Sequence, residues 1–226
     1  MPTTDYGLSA LLVLLVVLIF VIQPLAEIGI AGRFVSSLFF SLMLVSGVWA
    51  VAGNRSSAMA VGVLVLSALT VRWVRVLSGN GSLVMSSVLA YVFCVVVAVI
   101  VLAQVFRKGR ITFHRVRGAV AAYLLIGMAW AFAYETVALE WPGAFVFPDA
   151  RTVEPEGLIS HFVYFSFVTL TTVGYGDVTA SHPIARSLVT IEALIGQLFP
   201  AILLARLVSL ELLHSDKEVA DEEIRG

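Results

Sequence analysis

Apolar residues in this chain come in long unbroken blocks rather than in strict alternation or in narrow helical stripes. Six blocks reach roughly the 20 residues a helix needs to cross a hydrocarbon core: residues 8–26, 34–52, 58–77, 83–106, 118–139 and 184–210. The pattern therefore predicts six membrane crossings. A seventh block, Leu158–Leu170, is too short to cross and predicts a re-entrant half-helix. Irregular backbone beside such a half-helix is tolerated at membrane depth only where protein or a water-filled cavity surrounds it.

The polar segments between the blocks orient them. RKGRITFHRVR at 107–117 carries Arg107, Lys108, Arg110, Arg115 and Arg117 and no acid, which places it on the cytoplasmic side. An even number of crossings then puts both termini in the cytoplasm. The segment 140–157 falls outside, and it holds Glu140, Asp149, Glu154 and Glu156 against Arg151 alone. Residues 111–118 mix apolar and basic positions and are expected along the inner interface. The first block starts beside an acid, Asp5, and no small-residue cleavage pattern follows closely, so it reads as a retained span rather than a signal peptide.

Composition agrees with this reading. Of the 226 residues 60% are hydrophobic and 13% charged, with a mean hydropathy of +1.00. A soluble domain carries about twice that charge fraction. The formal net charge of −1 offers no basic face to a nucleic acid. Cys94 is the single cysteine, so an intrachain disulfide or cysteine metal cluster is excluded, and its place in an apolar block predicts a packed residue.

Against this background TLTTVGYGD, residues 169–177, is unusual. Gly174 and Gly176 alternate with Val173 and Tyr175. A dehydrated cation needs oxygens that replace its water, and backbone carbonyls supply them without a trapping charge. Lining carbonyls along one side of a strand requires mirror-related conformations at alternate residues, which glycine adopts at little cost. Thr172 adds a hydroxyl oxygen at the inner end, and the C-terminal dipole of the short helix favours a cation beneath the loop. A phosphate cradle would need a preceding strand, a following helix and usually a lysine, whereas apolar spans flank this loop with no lysine near it. A plain turn between two segments is the remaining alternative.

TTVGYGD at 171–177, preceded by an aromatic-rich short helix and flanked by two spans, resembles the signature of the potassium-channel family, over about 90 residues from 118 to 210. The resemblance implies an all-α membrane protein: six transmembrane helices, a re-entrant pore helix and a filter loop, assembled as a homotetramer. It implies K+ sites at Thr172, Val173, Gly174 and Tyr175, with Gly176 completing the loop and Asp177 at the outer mouth. Tyr164 and Phe165 would brace the filter, Tyr164 by bonding Asp177. Val168 stands where some relatives place an acid, so that pairing is absent. Gly196 matches the hinge position of the lining helix. Pro200, which removes a helical hydrogen bond, completes the expected bend. Gln197, Pro200, Leu204 and Val208 would face the cavity or inner mouth. Glu192, a carboxyl in mid-span, is expected behind the filter, bonded to Ser or Thr hydroxyls of the short helix. Glu135, near the outer end of its span, is expected to reach outside water. His161 and His182 flank the outer mouth as exposed residues able to titrate near neutral pH.

The chain so read divides into a four-helix accessory unit (1–106), a basic interfacial linker (107–117), a pore unit (118–210) and a short cytoplasmic tail (211–226). The fourth span has no arginine ladder, and Arg72 and Arg75 near the end of the third are explained by snorkelling toward headgroups, so steep voltage gating is not expected. The whole reading is a passive potassium channel of the cell membrane. It has lipids and K+ as partners, no catalytic residues and no cofactor beyond the permeating ions. An ion-coupled potassium transporter and a nonconducting regulatory subunit are the alternatives.

Overall fold

The computed structural model describes residues 2–28, 30, 33–51, 55–78, 81–106, 113–147 and 157–225. Most of the basic linker, and Asp149, Arg151, Glu154 and Glu156 of the acidic segment 140–157, lie outside the described residues.

Among the described residues six helices are long and apolar enough to cross a membrane, at Gly7–Ala26, Phe34–Val51, Ala58–Ser78, Leu83–Val105, Arg115–Glu140 and Pro183–Arg206. The first crossing is built in three parts: α1 (Pro2–Val17), a π-helical turn (Leu18–Ile22) and α2 (Gln23–Glu27). Then follow α3 (Arg33–Val51), α4 (Arg55–Ser78), α5 (Leu83–Val105) and α6 (Phe113–Glu140). The half-length helix α7 (Leu158–Leu170) comes next, and α8 (Pro183–Arg225) closes the chain. Two short strands, β1 (Phe145–Val146) and β2 (Thr179–Ala180), pair antiparallel with Phe145 opposite Ala180.

Helix α6 is the hub. It packs against α1, α5, α7 and α8, while α3 lies between α1 and α4. Small residues let the neighbours approach it closely: Ala119, Ala121, Ala122, Ala129 and Ala131 are buried on α6. Close backbone approach and dispersion hold helices together in lipid, where hydrophobic burial adds little. Of the six crossings α6 is the most buried and α8 the least, so α8 presents most of its surface outward in the single chain.

The π turn has a local cause. Pro24 has no N–H, and its ring would strike the carbonyl four residues earlier in a regular helix. The turn before it widens, and Gln23 N–H bonds Leu18 O, five residues back. A widened turn accommodates an extra residue, and Ile22 and Gln23 are both buried on the inner side.

Two sequence expectations are corrected here. Glu135 does not reach outside water. It is buried, and the Ser87 hydroxyl of α5 donates to its Oε2 at 2.6 Å, because α5 covers the face that would otherwise open outward. Arg72 does not extend toward headgroups. Its Nε donates to Ser37 Oγ on α3 at 3.2 Å, and its guanidinium lies 4.5 Å over the Phe40 ring, an attraction worth more inside the bundle than in water. Among the described residues every buried side-chain nitrogen and oxygen has a hydrogen-bond partner.

Candidate functional site

Helix α7 ends in a hydrogen-bonded cap that starts the glycine loop. Thr172 N–H donates to Thr169 O (2.9 Å) and Val173 N–H to Val168 O (3.0 Å), with Gly174 N–H also reaching Val168 O (3.2 Å). This pair of crossed bonds is the Schellman closure, which requires a left-handed residue just past the helix. That residue is Thr172, at φ +61°. Glycine usually fills such a place, and a β-branched residue there is strained.

The left-handed conformation then recurs at every second residue. Gly174 has φ +57° and Gly176 φ +77°, whereas Val173 and Tyr175 between them do not have positive φ. No atom lies within 4 Å of where a Cβ would stand at either glycine. Backbone conformation, not crowding, therefore calls for glycine at both. Residues 171–177 are all exposed, including Val173 and Tyr175.

Behind the loop stands a buried polar triangle. Glu192 of α8, fully buried, accepts from the Ser166 hydroxyl of α7 through Oε1 (2.5 Å) and from the Tyr134 hydroxyl of α6 through Oε2. Ser166 Oγ also lies 2.7 Å from Gly127 O of α6. A mid-span carboxyl thus has each oxygen bonded by a hydroxyl from one of two neighbouring helices, as buried polar groups in lipid require. The Tyr134 ring packs on Phe165 (5.3 Å), Phe145 (5.5 Å), Trp130 and Phe162 (6.1 Å each). Phe165 accordingly faces this aromatic cluster. Tyr164 turns the other way, and its hydroxyl donates to Asp177 Oδ2 at 2.8 Å.

The segment just past Asp177 is tied down by the β1–β2 ladder. Ser181 N–H donates to Ala144 O (2.9 Å) and the Ser181 hydroxyl to Gly143 O (2.5 Å). His182 stacks on Trp141 at 5.5 Å, and His161, within α7, meets the Phe147 ring edge-on at 5.5 Å. Both histidines are half-buried against rings, a correction to their reading as exposed residues.

At the C-terminal end of α7 the Tyr123 hydroxyl donates to Leu170 O at 3.3 Å. Gly196 of α8 lies against that same carbonyl, where a Cβ would stand only 1.9 Å from the oxygen. The structure therefore gives Gly196 a close approach to the end of α7, and α8 runs as one helix through both Gly196 and Pro200. Gln197, Pro200, Leu204 and Val208 are exposed along α8.

Sequence reasoning missed two residues here, Tyr134 and Gln23, and the backbone conformation of a third. The third left-handed position, Thr172, is hidden by a side chain that disfavours it; the even spacing 172, 174, 176 was the available signal. Tyr134 carries no local mark. Gln23, a polar residue in an apolar span, has its Oε1 bonded by the Ser160 hydroxyl of α7 (2.9 Å), and its position just before Pro24 was the signal.

Comparison with known proteins bears on the same region. Residues 122–211 match a family described as Ion channel, and the six long apolar helices suit a multi-pass membrane protein. Protein LctB of Bacillus caldotenax is 34% identical over 89 residues, which are 38% of this chain and 64% of that protein. The chain thus spans less than two thirds of that relative's length. No solved structure matches.

Proposed function

We propose that this protein is a potassium-selective channel in which four copies surround one axis and the 172–175 carbonyls form a row of K+ sites. The observation that carries this reading is the alternation of backbone handedness at Thr172, Gly174 and Gly176 in a loop with no covering on one side. Such alternation turns successive carbonyls to one side of a strand, and stripped K+ needs oxygens from more than one direction. Tyr175 and Val173, exposed beside a helix α8 that is itself mostly uncovered, are the surface further copies would close. Conduction runs down the electrochemical gradient, with no chemistry and no cofactor other than the ions themselves. Arg72, held by Ser37 and Phe40, acts as a structural charge, so voltage dependence is shallow.

Potassium flux into liposomes that contain only this protein tests the reading. Flux is expected without sodium or proton co-movement, with K+ favoured over Na+. Gly174→Ala or Gly176→Ala, each forcing a side chain into a left-handed position, should abolish selectivity or conduction. Obligatory co-movement of another ion would establish a coupled transporter instead. Absence of any flux would leave a regulatory subunit, and unchanged selectivity in both glycine variants would remove the row of sites.

A further inference from the structure

Three grips hold α7, and one of them comes from outside the 118–210 unit. The inner end is held by Tyr123 and Gly196, and the middle by Glu192, Tyr134 and Gly127. The outer end is held by Gln23 of the first crossing, through the 2.9 Å bond from the Ser160 hydroxyl. Both partners are buried, Gln23 at 8% and Ser160 at 6% exposure, so water does not compete for the bond. Its geometry is built in. The π turn forced by Pro24 brings Gln23 inward to α7, and π turns inside helices frequently mark functional places. A second buried bond between the two units, Ser87 to Glu135, reaches the residue beside Tyr134.

We infer that Gln23 and Ser160 are positioning residues through which the first four crossings set the conformation of the 172–176 loop. The inference rests on the channel reading. Helix α7 is a short rigid rod whose last turn closes directly onto Thr172 and Val173. A shift at its outer end is therefore carried about 15 Å along the axis to the loop. The peripheral helices then act on the ion path at the loop itself, behind the outer mouth, rather than by pulling on the cytoplasmic end of α8.

The test uses the full chain in liposomes and reads two quantities: the equilibrium between conducting and nonconducting states, and the K+ over Na+ permeability ratio. Only protein that elutes as the wild-type assembly is counted. Ser160→Ala and Gln23→Leu should each shift the conducting equilibrium about fivefold, the size of one buried hydrogen bond. The double variant should shift it no further, because both remove the same bond. Ser160→Thr, which keeps the hydroxyl, should behave as wild type. Ser41→Ala, which removes the Trp73 bond within the peripheral helices (3.1 Å), should leave the equilibrium unchanged. An unchanged equilibrium in both single variants overturns the inference, as does an additive double variant. An equal shift from Ser41→Ala overturns it too, because the effect is then general loosening of the bundle. A wild-type chain that conducts no K+ removes the channel reading, and the inference falls with it.

Discussion

Thr172 is held in a left-handed conformation where glycine would fit without strain. A left-handed L-residue costs about 1–2 kcal/mol, and the Schellman bonds of α7 impose it. What threonine brings in exchange is a side-chain hydroxyl. On the proposed function that hydroxyl closes the row of K+ sites. Thr172→Gly should therefore split two properties that usually move together. Without K+ the assembled protein should melt at a higher temperature, since strain is relieved. The rise in melting temperature that K+ produces, which measures ion binding to the folded state, should shrink. Melting curves across a K+ series read both, and an undiminished K+ increment would mean that the hydroxyl is no ligand.

At the scale of elements, the crossing of α8 over the end of α7 fixes how near the two helices stand. Gly196 allows the approach to Leu170 O, and the carboxyl of Glu192, one turn earlier, ties α8 to Ser166. Gly196→Ala would place a carbon 1.9 Å from a backbone oxygen that Tyr123 also binds, so the helices must separate. A loss toward the upper end of about 1–3 kcal/mol is expected. It should appear as lowered thermal stability of the protein. A Gly196→Ala protein with wild-type stability and altered gating alone would instead favour a hinge.

The crossings were legible because a bilayer demands long apolar blocks, and the boundaries of α7 were read directly from its short block. The two-residue strands β1 and β2 were not legible, since pairs that short carry no periodic signal. The bond from Tyr164 to Asp177 was anticipated through a resemblance, whereas Tyr134 and Ser160 became visible only once the helices were packed. Glu135 was misplaced for the same reason. Its nearness to a span end pointed to water, and nothing local announced that α5 would cover it.

For the molecule as a whole, the question is what joins the first four crossings to the rest. Apolar faces separated in a membrane are recovered by lipid at little cost. The binding between the two parts should therefore be concentrated in their close small-residue contacts and in two buried polar bonds, Gln23–Ser160 and Ser87–Glu135. The second has a further consequence. In the full chain Glu135 is held by Ser87 and attracted by Arg72, a charge that itself sits within the bundle. Glu135→Leu should then lower stability by about 1–2 kcal/mol, the cost of leaving a polar partner behind. In a shortened chain beginning at Phe113, both Ser87 and Arg72 are gone, and the carboxyl faces lipid. There the same substitution should raise stability by roughly 2 kcal/mol, because a carboxyl within a crossing is costly when it has no partner. Thermal melting of the two chains in the same lipid mixture compares the signs. A reversal would place Glu135 as the charge that the peripheral helices exist to cover. The same sign in both would mean that Glu135 is satisfied from within residues 113–225, and of the two buried polar bonds Gln23–Ser160 would then be the one that joins the two parts.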